Sequence, residues 1–183
     1  MLLTTLLSQH PSAIVDIVRD TPVWVGALLA ALLALGYSAT RPRRVAASRL
    51  ALMPLAMLGL ALWGVQSAFA ASGHLPALLL LWALCFVAML LLGSRAAAPA
   101  GTRFDPAARQ FLLPGSWVPM ALIVGVFLIK YSVGVQLALE PTLARHLGFA
   151  IAVTALYGLL SGLFAVRALR VLRLAGRPVL QAG

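Results

Sequence analysis

Five long apolar stretches dominate this sequence and restrict what it can fold into. Each approaches the ~20 residues that a helix needs to cross the hydrocarbon core of a bilayer. They cover residues 22–39, 50–71, 76–93, 117–139 and 147–166. Only 10% of the 183 residues are charged, whereas soluble domains carry about 25%. We therefore predict an all-α fold: a multi-pass transmembrane helical bundle with five spans.

The positions of the arginines predict how this bundle is oriented. Eleven of the thirteen follow the first, third or fifth apolar stretch, and only Arg19 and Arg145 fall on the opposite side. Positive residues concentrate on the cytoplasmic side of membrane proteins, so we expect the N-terminus outside and the C-terminus in the cytoplasm. The net charge of +10 does not indicate nucleic acid, because the arginines cluster at the ends of apolar stretches.

Three segments lie outside the apolar stretches or connect them: the N-terminal residues, one long loop and a C-terminal tail. Residues 1–20 lack the basic start of a signal peptide, and we expect an interfacial segment on the outer face. Residues 21–174 then form the five-helix membrane domain, and residues 175–183 form a cytoplasmic tail. In the loop after the third stretch, Asp105 and Pro106 favour a turn between two short extended runs. We predict a short cytoplasmic hairpin there, with an irregular loop as the alternative.

Lys130 is the only lysine of the chain, and it lies in the middle of the fourth apolar stretch. A central lysine costs about 3 kcal/mol on insertion, whereas each Leu, Ile, Phe or Val contributes about −0.3 to −0.6 kcal/mol. The twelve such residues in this stretch offset the cost. A charge inside a membrane is a candidate functional site. The equal alternative is a structural lysine that donates to Gln66, tyrosine hydroxyls or backbone carbonyls.

Several polar residues are predicted at the depth of Lys130, between the midplane and the outer surface. No apolar stretch contains Asp or Glu. The Lys130 amine could therefore be accommodated in three ways. It could be neutral, it could face a water-filled cleft approached by Asp16 or Asp20, or it could bind an anionic or carbonyl-bearing ligand. The candidate ligand-binding residues are Lys130, Tyr131, Gln136, Gln66, Thr154 and Tyr157.

Small residues predict which helix surfaces meet. Gly134 lies one turn beyond Lys130, and Gly125 belongs to a second small, polar stripe on the same stretch. Gly158 and Gly162 form a G-x-x-x-G on the small-residue face of the fifth stretch. Because only a tight turn separates the fourth and fifth stretches, we predict that they pack antiparallel.

Other patterns have simpler interpretations. The arginines that follow the fifth stretch at three-residue spacing predict contact with lipid headgroups, although orientation alone also explains them. They are Arg167, Arg170 and Arg173. No histidine pair has metal-ligand spacing, and no nucleotide, protease or serine-hydrolase motif occurs. We expect no enzyme activity, no metal and no cofactor.

Four segments together resemble a known family. They read "TRPRRV", "LMPLAMLGLALWGV", "FDPAARQFLLPGSWVPMALIVGVFLIKYSVGV" and "ALYGLLSGLFAVRALRVL". The resemblance is to an uncharacterised family of small proteobacterial inner-membrane proteins and covers residues 22–174, whereas residues 1–20 depart from its pattern. "PGSW" to "KYSVGV" is its most specific part. The resemblance implies a bacterial inner (plasma) membrane setting and no mechanism.

Two functions are consistent with these features. The first is a non-catalytic membrane subunit or assembly factor that works through helix contacts. The second is a small binding or transport protein in which Lys130 engages an anionic or carbonyl ligand from the outer side, and five spans would then require a homodimer. The expected partners are the lipid bilayer and either a second copy or a larger membrane complex, with no nucleic acid.

Overall fold

The computed structural model describes Arg19 and residues 21–175, and most of these residues are helical. Five α-helices lie in this part of the chain: α1 Val23–Ser38, α2 Ala47–Phe69, α3 Leu75–Ser94, α4 Val118–Leu139 and α5 Leu147–Leu172. Prolines occupy the first turns of α3 and α4, where the missing amide hydrogen costs nothing. Short 3-10 helices follow α2 and α4, at Ala70–Ser72 and Pro141–Arg145.

Four of these helices are long and apolar enough to cross a membrane. They are α2 with its following 3-10 turn, α3, α4 and α5. The first apolar stretch forms a helix of 16 residues, which is about 24 Å long and shorter than the ~30 Å hydrocarbon core. All five predicted stretches form helices. Helix α1, however, is shorter than the predicted span of residues 22–39.

The described residues group into two compact units. The first contains Ser116–His146 and the described part of Met1–Arg41, and it therefore holds α1 and α4. The second contains Pro42–Gly115 and the described part of Leu147–Gly183, and it holds α2, α3, α5 and a small sheet.

In the first unit, α1 runs antiparallel to α4. Gly36, near the end of α1, lies against Met120 in the first turn of α4, because a Cβ built on Gly36 would be 3.0 Å from Met120 Cγ. The Ser116 amide donates to the Ala39 carbonyl at 3.0 Å. These contacts fix the end of α1 against the start of α4. A hydrogen bond between the Thr21 and Tyr131 hydroxyls fixes the start of α1 against α4.

In the second unit, α5 is the most buried helix and packs along α3. A Cβ built on Gly158 would lie 2.5 Å from the Trp82 carbonyl oxygen, and one on Gly162 would lie 2.6 Å from Met89 Cβ. The paired residue numbers rise together along both helices. Therefore α3 and α5 are parallel, and glycine permits their close approach.

Helix α2 completes the second unit and runs antiparallel to α5. Phe69, the last residue of α2, is fully buried and meets Phe149 near the start of α5. The ring centroids are 6.3 Å apart in a T-shaped arrangement, which aromatic quadrupoles favour. Val65, one turn earlier, is also fully buried.

Three short strands form an antiparallel sheet beside these helices. They are β1 Arg43–Ala46, β2 Arg103–Asp105 and β3 Gln110–Leu113, in the order β1-β3-β2. Asp105 accepts hydrogen bonds from the Ala107 and Ala108 amides, as expected for a turn. The predicted hairpin of β2 and β3 is therefore present. Strand β1 was not predicted, and the all-α expectation is corrected by this sheet.

Candidate functional site

Lys130 lies close to the middle of α4. It is about 18 Å from the start of this ~33 Å helix, at 1.5 Å per residue, and its side chain is half-buried. The next residue, Tyr131, stacks on Phe127 with ring centroids 6.0 Å apart and planes 9° apart. The Tyr131 hydroxyl shares a hydrogen bond of 2.5 Å with the Thr21 hydroxyl.

The hydrogen bond between Thr21 and Tyr131 brings the start of α1 to the level of Lys130. Leu139 ends α4 eight residues beyond Tyr131, which is about 12 Å farther along the axis. Helix α1 therefore begins alongside the middle of α4 rather than at its end. Asp16 and Asp20, which the sequence suggested as neighbours of the lysine, lie outside the described residues.

The six predicted ligand-binding residues divide equally between the two units. Lys130, Tyr131 and the half-buried Gln136 lie on α4 in the first unit. The second unit contains the other three, Gln66, Thr154 and Tyr157. The structure joins Tyr131 to Thr21, which the sequence had not included. A single pocket formed by all six residues stays a prediction.

The second-unit residues differ in their surroundings. Gln66 is exposed on α2. Thr154 is fully buried on α5, and its hydroxyl has no hydrogen-bond partner among the described residues. Tyr157 is buried on the same helix, and its backbone carbonyl accepts a hydrogen bond of 2.7 Å from the Ser161 hydroxyl. Thr154 and Tyr157 thus belong to the tightly packed face of α5.

The glycines of α4 and α5 differ in their neighbours. A Cβ built on Gly125 or Gly134 would meet no described atom within 4 Å. The Gly158 and Gly162 face contacts α3, which the sequence did not predict, and the antiparallel packing of α4 on α5 stays a prediction. Chain proximity suggested α4, but α3 brings backbone carbonyls within reach of this face.

Two of the three predicted headgroup arginines bind the end of α3. Arg170 Nε donates to the Gly93 carbonyl at 2.7 Å, and an Arg173 terminal nitrogen donates to the Ser94 carbonyl at 2.8 Å. The last carbonyls of a helix lack intrahelical partners and carry the negative end of its dipole. Both arginines therefore stabilise the C-terminus of α3, and their contact with lipid headgroups stays a prediction.

One arginine of this region was not among the predicted site residues. Arg43 is half-buried on β1, where burial and, secondarily, the charge of Arg49 lower its pKa. Arg167 on α5 is also half-buried and lies within electrostatic reach of Arg43 and Arg170. The alternation of Arg43 and Val45 was a signal for a strand, but four residues are too few to distinguish a strand from a loop.

Together these features define an apolar, helix-rich protein whose longest helices are compatible with a membrane. The chain belongs to a family of unknown function (DUF6622), whose model matches residues 1–179. The predicted resemblance to an uncharacterised family is confirmed. Because the match begins at residue 1, the expected departure of residues 1–20 from the family pattern was wrong. No curated protein and no solved structure matches the chain.

Proposed function

We propose that this protein is a non-catalytic subunit or assembly factor of a bacterial inner-membrane complex, and that α4 contacts the partner. The observation that carries the proposal is the exposure of α4. Only 6% of its most apolar 18-residue window is buried within the chain, compared with 11% for α3, 12% for α2 and 44% for α5. The partner is a transmembrane helix of another protein.

The composition of α4 supports a protein partner for its exposed surface rather than lipid. Gly125, Lys130 and Gln136 all lie on this helix. Small and polar residues are enriched where transmembrane helices meet, because they allow close backbone approach and hydrogen bonds. No described atom lies within 4 Å of a Cβ built on Gly125 or Gly134, and a neighbouring helix could approach closely at such residues.

We further propose five spans, with the N-terminus outside and the C-terminus in the cytoplasm. The parallel contact of α3 and α5 supports an additional crossing between them, because the end of α3 and the start of α5 lie at opposite ends of the second unit. Helix α4 is 22 residues long and lies between them in the chain. The arginine distribution supports the orientation.

Photo-crosslinking in native membranes tests the α4 contact. A photo-reactive amino acid replaces Gly134, and the same replacement at Gly59 serves as the control, because both glycines face open space in the structure. We expect a discrete protein adduct from position 134 and none from position 59. Gly134→Leu should then reduce copurification of that partner about fivefold, as expected for overpacking by about 1 kcal/mol.

The mass of the adduct decides between the two functions. An adduct with a different protein supports the subunit proposal. Lipid adducts alone from position 134 would contradict it. An adduct between two copies of the 19.3 kDa chain would favour the second candidate, for which a homodimer is required.

That second candidate is a binding or transport protein for an anionic or carbonyl ligand at Lys130. It is favoured by the hydrogen bond between Thr21 and Tyr131 beside the lysine, which adds hydroxyl groups at the same depth. Lys130→Met is the test, measured by thermal unfolding with a panel of small carboxylates. Binding predicts that stability holds while a ligand-induced shift disappears. A loss of stability with no ligand-induced shift in the wild type favours the structural lysine.

A further inference from the structure

The small sheet of the second unit has one buried face and one exposed face. Residues that are directly paired across an antiparallel sheet lie on the same face. Val45 pairs with Phe111, which pairs with Phe104 on its other side. Phe111 is fully buried, and its ring centroid is 4.8 Å from that of Phe104. This apolar row faces the protein, so the alternate residues of each strand point away from it.

Two arginines and a leucine form a row on the exposed face. Arg44 pairs with Leu112, and Leu112 pairs with Arg103 on its other side. Arg44 and Arg103 are exposed, and Leu112 is 42% exposed. Neighbouring strands lie ~4.8 Å apart, so the backbones of the two arginines are about 10 Å apart. The sheet therefore presents an apolar side chain flanked by two guanidinium groups.

The exposed face carries more positive than negative charge. Asp105 is the only acidic residue among the described residues of the second unit. It shares the exposed face through its pairing with Gln110, and its Oδ1 accepts hydrogen bonds from the Ala107 and Ala108 amides. Arg109, in the same turn, is also exposed. It adopts a positive φ of 50°, a conformation that glycine tolerates better.

The row of Arg44, Leu112 and Arg103 lies close to the start of a helix that is long and apolar enough to cross a membrane. Strand β1 ends at Ala46, and α2 begins at the next residue. Arg44 is therefore at most about 10 Å from α2. In the proposed topology α2 crosses the bilayer, whose headgroup regions extend about 5–7 Å beyond each side of the hydrocarbon core. Long arginine side chains reach across the remaining distance.

We propose that the row of Arg44, Leu112 and Arg103 docks on the headgroups of anionic phospholipids, with Arg109 adding charge at the turn. Charge complementarity supports this occupant, because basic segments beside a membrane span are attracted to anionic lipids. Guanidinium groups also donate paired hydrogen bonds to phosphate oxygens. The exposed leucine fits the same surface, since apolar side chains enter the bilayer interface. The competing occupant is an acidic protein.

Fluorescence quenching in lipid nanodiscs tests this docking on the full chain. A fluorophore is attached to Ala108→Cys in a Cys85→Ser background, because Ala108 is exposed in the hairpin turn. The nanodiscs consist of phosphatidylcholine with an equal small fraction of spin-labelled phosphatidylglycerol or spin-labelled phosphatidylcholine. The spin label is on an acyl chain near the headgroup, so that both headgroups stay intact. The ratio of the two quenching values measures the local enrichment of the anionic lipid.

We expect the phosphatidylglycerol probe to quench several-fold more than the phosphatidylcholine probe. Arg44→Gln and Arg103→Gln should each lower this enrichment by up to about fivefold, which corresponds to about 1 kcal/mol per arginine. The matched control is Arg95→Gln. It loses the same charge from an exposed position that directly follows α3, outside the sheet, and it should keep the enrichment of the wild type.

Equal quenching by the two lipid probes in the wild type would overturn the proposal. An enrichment that Arg95→Gln lowers as much as Arg103→Gln would also overturn it, because net charge alone would then explain the effect. No quenching by either probe would place the sheet away from the bilayer and favour the acidic protein.

If a glutamine variant fails to fold, Arg44→Thr or Arg103→Thr replaces it, because threonine favours strands. The same outcomes then support or contradict the docking. None of these measurements involves α4, so failure of the photo-crosslinking experiment is distinguishable from failure of this one.

Discussion

Gly158 shows how a single residue determines the packing of two helices. The nearest atom to its missing Cβ is the Trp82 carbonyl oxygen, and the next is Cys85 Cβ at 2.9 Å. Both belong to α3, so no larger residue fits without moving that helix. Gly148 begins the same helix, but no described atom lies within 4 Å of its Cβ position. The two glycines therefore differ in function although their helix is the same.

Alanine should lower the stability of the protein at position 158 but not at position 148. Gly158→Ala is expected to destabilise the protein by about 1–3 kcal/mol through overpacking. Gly148→Ala should be neutral or stabilising by up to about 1 kcal/mol, because alanine has the higher helix propensity. Thermal unfolding of both variants in the same detergent checks this. Equal melting temperatures would contradict the close contact between α3 and α5.

At the scale of elements, the sheet illustrates the limit of local patterns. Asp105 and Pro106 predicted a turn, and the hairpin of β2 and β3 follows from that chemistry. Strand β1 comes from a different loop, between α1 and α2. Its arginines were interpreted as orientation signals, so no strand was predicted there. It becomes a strand because β3 offers an unpaired edge, from Arg43 opposite Leu113 to Ala46 opposite Gln110.

Helix pairing shows the same limit. The small-residue face of α5 could be recognised from spacing, since residues three and four apart share a surface. Its partner could not, because α3 and α5 are separated by more than 50 residues of chain. The turn after α4 suggested the nearer helix in the chain, whereas the atoms nearest to the two glycines are the Trp82 carbonyl oxygen and Met89 Cβ, both on α3.

At the scale of the whole molecule, the proposed topology can be tested by cysteine accessibility. His74→Cys and Thr142→Cys lie in exposed turns that the proposed topology places outside, and Ala108→Cys lies in the exposed hairpin turn. Each is made in a Cys85→Ser background, because Cys85 is the only native cysteine. We expect an impermeant maleimide to label positions 74 and 142 in intact spheroplasts, and position 108 only after permeabilisation.

The matched control for this experiment is the Cys85→Ser protein without an added cysteine, which should remain unlabelled. Labelling of position 108 in intact spheroplasts would reverse the orientation inferred from the arginines. Labelling of only one of positions 74 and 142 would contradict the alternation of α2 to α5 across the bilayer.

The sequence by itself determined where the helices and the hairpin lie, because hydropathy, helical spacing and turn chemistry act over a few neighbouring residues. The level of Lys130 within its helix follows in the same way. Only the tertiary structure decided that α5 packs on α3 and that β1 completes a sheet. Those outcomes depend on contacts between residues far apart in the chain, where close packing selects among surfaces of similar composition.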